Sequence, residues 1–331
     1  RYPFQANTHG LPAKVVAECL AGFSRNLYRP RTLPKDPSFR AWCLAAFGEG
    51  ISRQFMFPYN EKLWRTPLDW LTTEWQGRFL PRPRPEEVLY GGLVDQKRFF
   101  GYNAHFRYPK KGGCQALPDA LADRVPELRL NCRVTSVDLA EKMAVVEGLG
   151  EVRYERLVNT LPLKTFLDLA TPLPAAVREA RSRLRWVDVL NLNVGVGRAG
   201  LSDRHWVYFP EAKYPFYRVG FTSNFASDMA PKGTTSMYIE VSRRPGEPAD
   251  LPALERRCIE GLRRSGIMRS SDKVVEKLWI PIECGYVVYD RERTPSVKAI
   301  QKHLRGKGVW SIGRWGGWKY SFMEETLLDG K

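Results

Sequence analysis

Apolar residues recur at helical spacing over the first eighty positions of the chain. They fall at intervals of three and four after Pro12, which suits the first turn of a helix. Ser38 can cap a second helix, Pro58 should end a third, and Pro67 can begin a fourth. The predicted helices cover residues 12–27, 38–46, 51–57 and 68–75.

The hydrophobic pattern changes at the proline-rich run of residues 81–85. Alternating proline and arginine exclude a helix or a central strand, so loop and edge structure is predicted as far as residue 109. A short helix is predicted over residues 115–125 from its apolar spacing. Three strands are then predicted, over residues 128–137, 143–147 and 151–160.

The second half of the chain is richer in alternating and β-branched positions. Helices are predicted over residues 175–184, 253–265 and 297–304. Short strands separated by turn residues are typical of an antiparallel sheet. They cover residues 187–196, 205–209, 217–221, 235–241 and 277–281, and a buried strand follows at 309–312.

Composition narrows the class of protein. The chain has 331 residues, 43% hydrophobic and 12% aromatic, so it can bury a large core and is not intrinsically disordered. Its length is compatible with about two domains. No run of uninterrupted apolar residues is long enough to predict a membrane span.

The charge balance is strongly basic, with 52 Lys and Arg against 36 Asp and Glu and a net charge of +16. Such a balance favours an anionic partner, such as a phosphorylated small molecule or an anionic membrane face contacted peripherally. The basic residues are dispersed, and no nucleic-acid-binding motif accompanies them, so nucleic acid is not expected as a partner.

The cysteines and histidines indicate neither disulfides nor metal. The six cysteines stand singly without a C-x-x-C pair, which is typical of reduced thiols and predicts a cytoplasmic protein. The four histidines lie far apart, and no zinc spacing is present, so no metal site is expected.

Residues 195–200 read Gly-Val-Gly-Arg-Ala-Gly and match the G-x-G-x-x-G pattern of dinucleotide-binding turns. That pattern needs a helix directly after the glycines, so that the helix N-terminus can face a pyrophosphate. Here the chain runs on to Pro210 without a helical pattern. The glycines are therefore interpreted as the end of a strand and a turn.

Residues 313–324 place a glycine turn after the last predicted strand and a helix start at Met323. Glycines let the backbone approach a ligand closely, and the first N–H groups of a helix can bind an anion. Alone, the segment could equally be an aromatic-rich turn packed on the core.

The C-terminal segment resembles the motif G-R-x-G-x-W-x-Y-x-x-M, which UDP-galactopyranose mutases share with flavoproteins of the protoporphyrinogen oxidase and amine oxidase type. Three further segments resemble this group in the expected order. They are F-P-Y-N-E-K-L-W at 57–64, Y-P-K-K-G-G at 108–113, and R-V-T-S-V at 133–137 leading to N-T-L-P at 159–162.

The resemblance implies an α/β fold in which an FAD-binding, Rossmann-like domain is joined to a helical domain and an antiparallel substrate sheet. The strand, G-x-G-x-x-G and helix that open this fold are expected upstream of Arg1, so the Rossmann-like domain is expected to be incomplete here. The predicted regions are a strand of the substrate domain at 1–10, the helical domain at 11–80, connecting loops at 81–111, FAD-binding segments at 112–170 and 301–331, and the substrate sheet at 171–300.

FAD is the cofactor that the resemblance implies. It places Val134 at the adenine end, although an ordinary strand residue would look the same. The remaining implied flavin and pyrophosphate contacts are Gly112, Gly113, Gly313, Arg314, Trp318, Tyr320 and Met323.

The resemblance also implies a substrate site. Tyr59 and Trp64 match mutase residues that meet the diphosphate and stack on uracil, although an aromatic pair closing the helical domain is equally plausible. A diphosphate-binding arginine is expected among Arg78, Arg82 and Arg84. Tyr286 and Tyr320 complete the expected substrate contacts.

Three functions are compatible with these features. The first is a UDP-galactopyranose-mutase-like reaction on a nucleotide sugar through the flavin N5, in which arginines and tyrosines neutralise charge and no side-chain acid is obligatory. The second is hydride transfer from an amine or a porphyrin-like substrate to the flavin. The third is a non-catalytic basic interaction domain.

Overall fold

The computed structural model describes residues 2–96, 101 and 105–331. The chain divides into two compact units. Unit 1 comprises Arg1–Asp119 and Asp188–Glu283, and unit 2 comprises Ala120–Val187 and Cys284–Lys331. Each unit is thus built from two separate stretches of chain, and the limits differ from the predicted ones, since unit 2 resumes at Cys284 and not at residue 301.

The first part of unit 1 is mainly helical. A side-chain cap was predicted for its second helix, and the Ser38 hydroxyl does accept a hydrogen bond from the Ala41 amide at 3.2 Å. One π-helical turn, Ser52–Met56, lies between two of the α-helices. These helices are α1 (Ala13–Tyr28), α2 (Phe39–Ile51), α3 (Phe57–Trp64), α4 (Pro85–Leu93) and α5 (Ala116–Ala122).

Prolines account for two wrong boundaries in this region. Pro58 lies in the first turn of α3 and does not end a helix, and Pro85 opens α4 where loop was predicted. Both positions tolerate proline because the first N–H groups of a helix need no intrahelical partner. Residues 68–75 form turns and not the predicted helix.

The strand predicted in residues 1–10 is also wrong. Phe4–Ala6 forms a short 3-10 helix. The Phe4 ring stacks on the Phe55 ring at 4.8 Å, and the Gln5 side-chain amide donates to the Pro81 carbonyl at 2.7 Å. This segment therefore packs among the helices of unit 1.

Helices α1 and α2 pack closely because glycines lie where the two helices meet. A Cβ atom on Gly22 would lie 2.7 Å from the Gly50 amide nitrogen, and one on Gly50 would overlap the Glu18 carbonyl. Gly48 has φ of 74°, a left-handed value that interrupts α2 where a stop was predicted. The two helices thus meet backbone to backbone.

A five-stranded sheet forms the second part of unit 1, and its antiparallel pairing confirms the prediction. Helix α8 (Leu251–Arg264) covers one face, where Cys258 and Leu262 join a buried apolar cluster that includes Leu192 and Ile239. In the spatial order of the sheet, the strands are β10 (Val274–Val287), β6 (Trp186–Val196), β9 (Thr235–Arg243), β8 (Arg218–Gly220) and β7 (Trp206–Tyr208).

The glycines of residues 195–200 lie at the end of β6, which confirms their interpretation as a strand end. No helix follows them, and the Gly197 amide donates to the Lys273 carbonyl at 2.9 Å. The Arg198 side chain between the glycines binds the Asp272 carboxylate. This motif is therefore structural.

Unit 2 contains two small sheets and several helices. The four-stranded sheet has the order β3 (Gly150–Arg153), β2 (Met143–Val146), β1 (Val134–Asp138) and β5 (Ala170–Thr171). The two-stranded sheet pairs β4 (Leu157–Asn159) in parallel with β11 (Val309–Ser311). The helices are α6 (Leu163–Leu169), α7 (Ala175–Ser182), α9 (Arg293–Gly306), α10 (Gly313–Gly316) and α11 (Met323–Asp329).

Over residues 2–96, 101 and 105–331, none of the helices combines the length and the apolar character that crossing a bilayer requires.

Candidate functional site

The face of the five-stranded sheet opposite α8 is polar. Alternate residues of β6 and β9, such as Leu192 and Ile239, belong to the apolar core, and the residues between them point to the other face. The polar face of the sheet, as we call it, carries Asn191, Asn193, Arg218, Ser236, Tyr238 and Glu240.

The strand register aligns these side chains in rows. Asn191 lies opposite Glu240, and Glu240 lies opposite Arg218, which in turn faces Tyr208 on the edge strand. Directly opposite residues have neighbouring side chains. An amide, a carboxylate, a guanidinium and a phenol are thus placed side by side across four strands.

Arg218 is the cation at the centre of the polar face. Its guanidinium forms an ion pair with Glu240, and it lies 5.7 Å from the centre of the Tyr238 ring. Glu240 is only 9% exposed. The Oδ1 atom of Asn191 and the Nδ2 atom of Asn193 have no hydrogen-bond partner among the described residues. Both amide atoms are buried, so each is a polar group whose hydrogen bond the described residues do not supply.

Tyr59 packs beside the polar face. Its ring stacks on Phe55 at 5.2 Å and meets the edges of Tyr208 at 5.1 Å and Tyr217 at 6.2 Å. The side chain is half-buried. The structure therefore brings the sequence-predicted Tyr59 next to the row that contains Arg218.

Trp64 is placed in the core of unit 1. It is 0% exposed, its ring lies 5.0 Å from that of Trp75, and its Nε1 donates to Asn60 at 3.2 Å. This arrangement matches the alternative of an aromatic pair that closes the helical region. Its stacking on a base remains a prediction, and it would require the ring to leave this position.

The structure describes the side-chain surroundings of two of the three arginines predicted for the diphosphate. Arg84 pairs with Glu86 at 3.2 Å and Glu87 at 3.0 Å at the start of α4. The Arg82 guanidinium lies 4.8 Å from the Trp42 ring. The side chain of Arg78 is outside the described part of the structure. Two carboxylates thus pair with Arg84, and one carboxylate, that of Glu240, pairs with Arg218.

The Gly112 and Gly113 turn lies in unit 1 with left-handed φ values of 77° and 63°. Only glycine adopts such values without strain. The Gly112 amide donates to Asp228 at 2.8 Å, and a Cβ atom on Gly113 would lie 3.4 Å from the Met229 sulfur. Burial raises the pKa of the neighbouring Tyr108, whose hydroxyl lies 3.6 Å from the same sulfur.

An aromatic cluster adjoins this turn. Phe225 stacks on Tyr108 at 5.2 Å and on His205 at 5.5 Å, and Phe106 lies 5.7 Å from Trp206. Phe106 is 44% exposed. The cluster is large, partly accessible to solvent and apolar, which distinguishes it from the polar face of the sheet.

Unit 2 brings three sequence-predicted residues together. Arg314 donates hydrogen bonds to the Ser321 and Gly285 carbonyls, the latter at 2.8 Å. Its guanidinium lies 5.2 Å from the ring centres of both Tyr286 and Tyr320, which stack on each other at 5.8 Å. Arg314 therefore joins the end of β10 to the C-terminal segment.

Trp318 holds a strained backbone position in the same segment. It has φ of 48° and is 0% exposed, and its Nε1 has no partner among the described residues. Arg293 donates from Nε to the Trp318 carbonyl at 2.9 Å. The Tyr320 amide donates to the Tyr289 hydroxyl at 2.8 Å, so residues 318–320 are fixed at two points.

The remaining predicted cofactor residues have simpler surroundings. Val134 is a half-buried residue of β1 opposite Val146, so its contact with adenine remains a prediction. Met323 begins α11, as predicted, and is 56% exposed. The first turn of that helix contains Glu324 and Glu325, which oppose an anion there.

Sequence reasoning missed Asn191, Asn193, Arg218 and Glu240. The signal was present in β6 and β9, where polar residues alternate with apolar ones in strands long enough to cross the core. Solvated polar faces give the same alternation. Only the register, which places Arg218 between Glu240 and Tyr208, shows that these side chains are neighbours.

The fold and these sites define an α/β protein with a separate antiparallel sheet, of the kind found in flavin-dependent enzymes. The model of the flavin containing amine oxidoreductase family matches residues 24–247, more than half of the chain. The chain belongs to this family. It is an FAD-dependent enzyme of the superfamily that contains the mutases and the oxidases, as the C-terminal motif predicted.

Solved structures agree with this assignment. A reduced UDP-galactopyranose mutase matches with a TM-score of 0.89 and 28% identity, over 96% of this chain and 70% of that chain. A candidate protoporphyrinogen oxidase from Exiguobacterium sp. 255-15 matches with a TM-score of 0.64 and 13% identity, over 88% and 66% of the two chains. A redesigned putrescine oxidase matches with a TM-score of 0.52 and 12% identity, over 90% and 66%. The last two show the fold alone.

FAD is the cofactor of this class, and each unit, taken by itself, contains residues that fit it. The glycines at 112, 113 and 313 have left-handed φ values and admit a ligand close to the backbone. In unit 2, Trp318 offers a buried N–H without a described partner, and Arg314 adds a fixed cation. A planar ring and a pyrophosphate are compatible with such groups.

Proposed function

We propose that this protein is a UDP-galactopyranose-mutase-like enzyme that acts on a nucleotide sugar. The observation that carries the proposal is the position of Arg218, a cation held between Glu240 and Tyr208 on a face where buried amide atoms of Asn191 and Asn193 have no described hydrogen-bond partner. The 28% identity to a UDP-galactopyranose mutase over nearly the whole chain supports it.

FAD, when bound, supplies the N5 atom at which such chemistry occurs. The candidate contacts in unit 1 are Gly112 and Gly113; those in unit 2, considered separately, are Gly313 and Arg314. The chain's own residues bind and orient the substrate. A guanidinium presents a fork of donors that matches phosphate oxygens, so Arg218 would neutralise the diphosphate of the leaving nucleotide. Tyr59 would lie beside it, since its ring touches Tyr208.

The amides of Asn191 and Asn193 would orient the sugar. Each has an atom without a described partner, and an amide can both donate to and accept from hydroxyl groups. Glu240 would hold the Arg218 guanidinium in place through their ion pair. Positioning and neutralisation of charge are the contributions that this arrangement supports.

An oxidase reaction is the second candidate. It is favoured by one observation, the aromatic cluster of Phe106, Tyr108, His205, Trp206 and Phe225 beside the glycine turn. Such a wall suits an apolar amine or a porphyrin-like substrate. The same experiment separates the two enzymatic reactions.

We also propose a cytoplasmic setting and an anionic small-molecule substrate, with no nucleic acid partner. All six cysteines are free, and Cys114 is exposed, which is compatible with a reducing compartment. The net charge of +16 favours anionic ligands.

The test is the visible spectrum of the full-length protein loaded with FAD, recorded before and after dithionite reduction and then with UDP added. A reduced-flavin spectrum that shifts with UDP supports the mutase-like reaction. A flavin spectrum that does not change with UDP, but shows reduction of the flavin when an amine is added, supports the oxidase reaction. Failure to retain FAD overturns both enzymatic proposals.

Arg218→Met gives the residue-level test. It should weaken UDP binding about tenfold or more, because a charge-assisted hydrogen bond contributes about 1.5–3 kcal/mol. Arg204→Met is the matched control, since Arg204 is exposed and pairs only locally with Asp203 at 2.9 Å. Equal UDP affinity in the two variants would remove Arg218 from the substrate site.

A further inference from the structure

Lys62 of α3 is bonded to a loop far away in the sequence. Its ammonium donates to the carbonyl oxygens of Phe209 at 2.7 Å, Glu211 at 3.1 Å and Phe216 at 2.6 Å. An ammonium has three N–H donors, and all three are used on the backbone of one loop. Surface lysines rarely make such a set of contacts, since their charge is otherwise solvated.

The loop that Lys62 holds, residues 209–217, joins the edge strand β7 to its neighbour β8. It begins directly after Tyr208, the last residue of β7, and ends directly before Arg218, the first residue of β8. Its other side is anchored in the core by the rings of Phe209, Tyr214 and Phe216, which lie within 5.6 Å of one another.

Helix α3 therefore touches the loop through two side chains. Tyr59 contacts Tyr208 and Tyr217 at the ends of the loop, and Lys62 binds its carbonyl groups. Because Tyr59 and Lys62 are three positions apart, they lie on the same face of the helix. A shift of the loop would move Tyr208 and Arg218 together.

We propose that Lys62 is a positioning residue that fixes the loop 209–217 and thereby sets the place of Arg218 and Tyr208 on the polar face. The role of that face in substrate binding rests on the proposed function. The hold on the loop does not, because it follows from the three hydrogen bonds alone.

The protonation state of Lys62 matters to this role. The neutral amine has two N–H donors for three carbonyls, so deprotonation would leave one acceptor without its bond. Burial lowers the pKa of Lys62 to about 8, while the Glu211 carboxylate favours the charged form. On its own helix, Glu61 is paired with Arg40 at 2.9 Å. The loop should therefore loosen as the pH rises through about 8.

Hydrogen exchange followed by mass spectrometry on the full chain tests the hold on the loop. Lys62→Met removes the charge at similar length, Lys62→Arg keeps a cation, and Lys302→Met is the control, because Lys302 is exposed on α9. Exchange is compared for peptides covering residues 206–220 and for β6 and β9, after correction for intrinsic rates. UDP affinity of the FAD-loaded variants is measured in parallel.

In Lys62→Met, exchange in residues 209–217 should rise about tenfold while β6 and β9 stay protected, and UDP affinity should fall about tenfold. In the unmodified chain, the same loop should exchange faster above pH 8, and Lys62→Arg should remove this pH dependence because arginine stays protonated. Lys302→Met should match the unmodified chain throughout.

Unchanged loop exchange in Lys62→Met overturns the inference. Unchanged UDP affinity together with faster loop exchange also overturns it, because the loop would then not position Arg218. If the unmodified chain binds no UDP, the proposed function fails, and the exchange data alone decide whether Lys62 fixes the loop.

Discussion

The Arg198 guanidinium and the Asp272 carboxylate form a two-pronged ion pair, with Nε to Oδ1 at 2.7 Å and Nη2 to Oδ2 at 2.8 Å. The Arg269 amide donates to the same carboxylate at 2.7 Å. These bonds join the end of β6 to the turn before β10. Arg198 lies within a sequence that resembles a nucleotide-binding turn, but its side chain stabilises the fold.

Asp272→Asn should lower the free energy of unfolding at neutral pH. It should also make that free energy less dependent on pH in the acid range. The hydrogen bond from Arg198 is the main reason that the pKa of Asp272 is lowered to about 2. A carboxyl whose pKa is lower in the folded state stabilises above its unfolded value, near 3.8, and loses that effect as the pH falls toward 2. Urea unfolding at pH 7, 4 and 2.5 measures this.

The difference between the unmodified chain and Asp272→Asn should be constant from pH 7 to about 5 and shrink below pH 4. Asp203→Asn serves as the control, since the Asp203 side chain is 83% exposed in its pair with Arg204. A difference that is independent of pH would show that packing, and not the charge of Asp272, accounts for the effect.

Gly50→Ala should destabilise the helical part of unit 1. The new methyl group would overlap the Glu18 carbonyl, which belongs to the backbone of α1 and cannot rotate away. Overpacking of this kind costs about 1–3 kcal/mol. Thermal unfolding measures it, with Gly306→Ala at the end of α9 as the control, because a Cβ there meets no atom within 4 Å. Equal midpoints for the two variants would contradict the close helix contact.

Trp64→Ala should destabilise the protein by about 3–5 kcal/mol, the usual cost of removing a buried tryptophan. Trp64 is 0% exposed, whereas Trp70, the control, is 56% exposed. Trp64→Phe keeps most of the packing, so it separates a role in the core from a role in stacking on a base. Unchanged UDP affinity in Trp64→Phe would assign the ring to the core, and a loss of about tenfold would assign it to the base as well.

Gly113→Val should abolish FAD binding. The φ of 63° at Gly113 is costly for valine, and the valine side chain would crowd the Met229 sulfur, 3.4 Å from the added Cβ. The FAD content of the purified protein, measured by its absorbance, reports the loss. Gly148→Val is the control, because Gly148 has a similar φ of 78° but lies in the turn between β2 and β3. Normal FAD content in Gly113→Val would move the flavin away from this turn.

Most helices and strands could be predicted from the sequence because their apolar residues recur at clear helical or strand spacing. The helix over 12–27 and the antiparallel sheet are confirmed. Several strand limits are wrong: the strand predicted at 128–137 is Val134–Asp138, and the one predicted at 151–160 is two strands in different sheets. Proline caused the main errors, because its effect depends on position: Pro58 and Pro85 lie in first turns, where they favour a helix. Without the fold, first-turn and terminating prolines look alike.

The candidate site was only partly predictable. Four of the predicted residues belong to recognisable sequence motifs, and the structure brings each of them into contact with another candidate residue. They are Tyr59, Arg314, Tyr286 and Tyr320. Arg218 carried none, since its neighbours Glu240 and Tyr208 are contributed by strand pairing across the sheet. Such juxtapositions depend on register, which local sequence does not specify.

The interleaving of the two units affects how the chain can be synthesised and folded. Strand β4 pairs with β11, so Leu157 can pair only after Val309, about 150 positions later in the chain, has been synthesised. Contacts between such distant positions form slowly because loop closure costs entropy. At translation rates of about 5–20 residues per second, β4 is without its partner for on the order of ten seconds. During that time the nascent chain presents an unpaired strand edge, so the yield of folded protein should depend on chaperones that shield it.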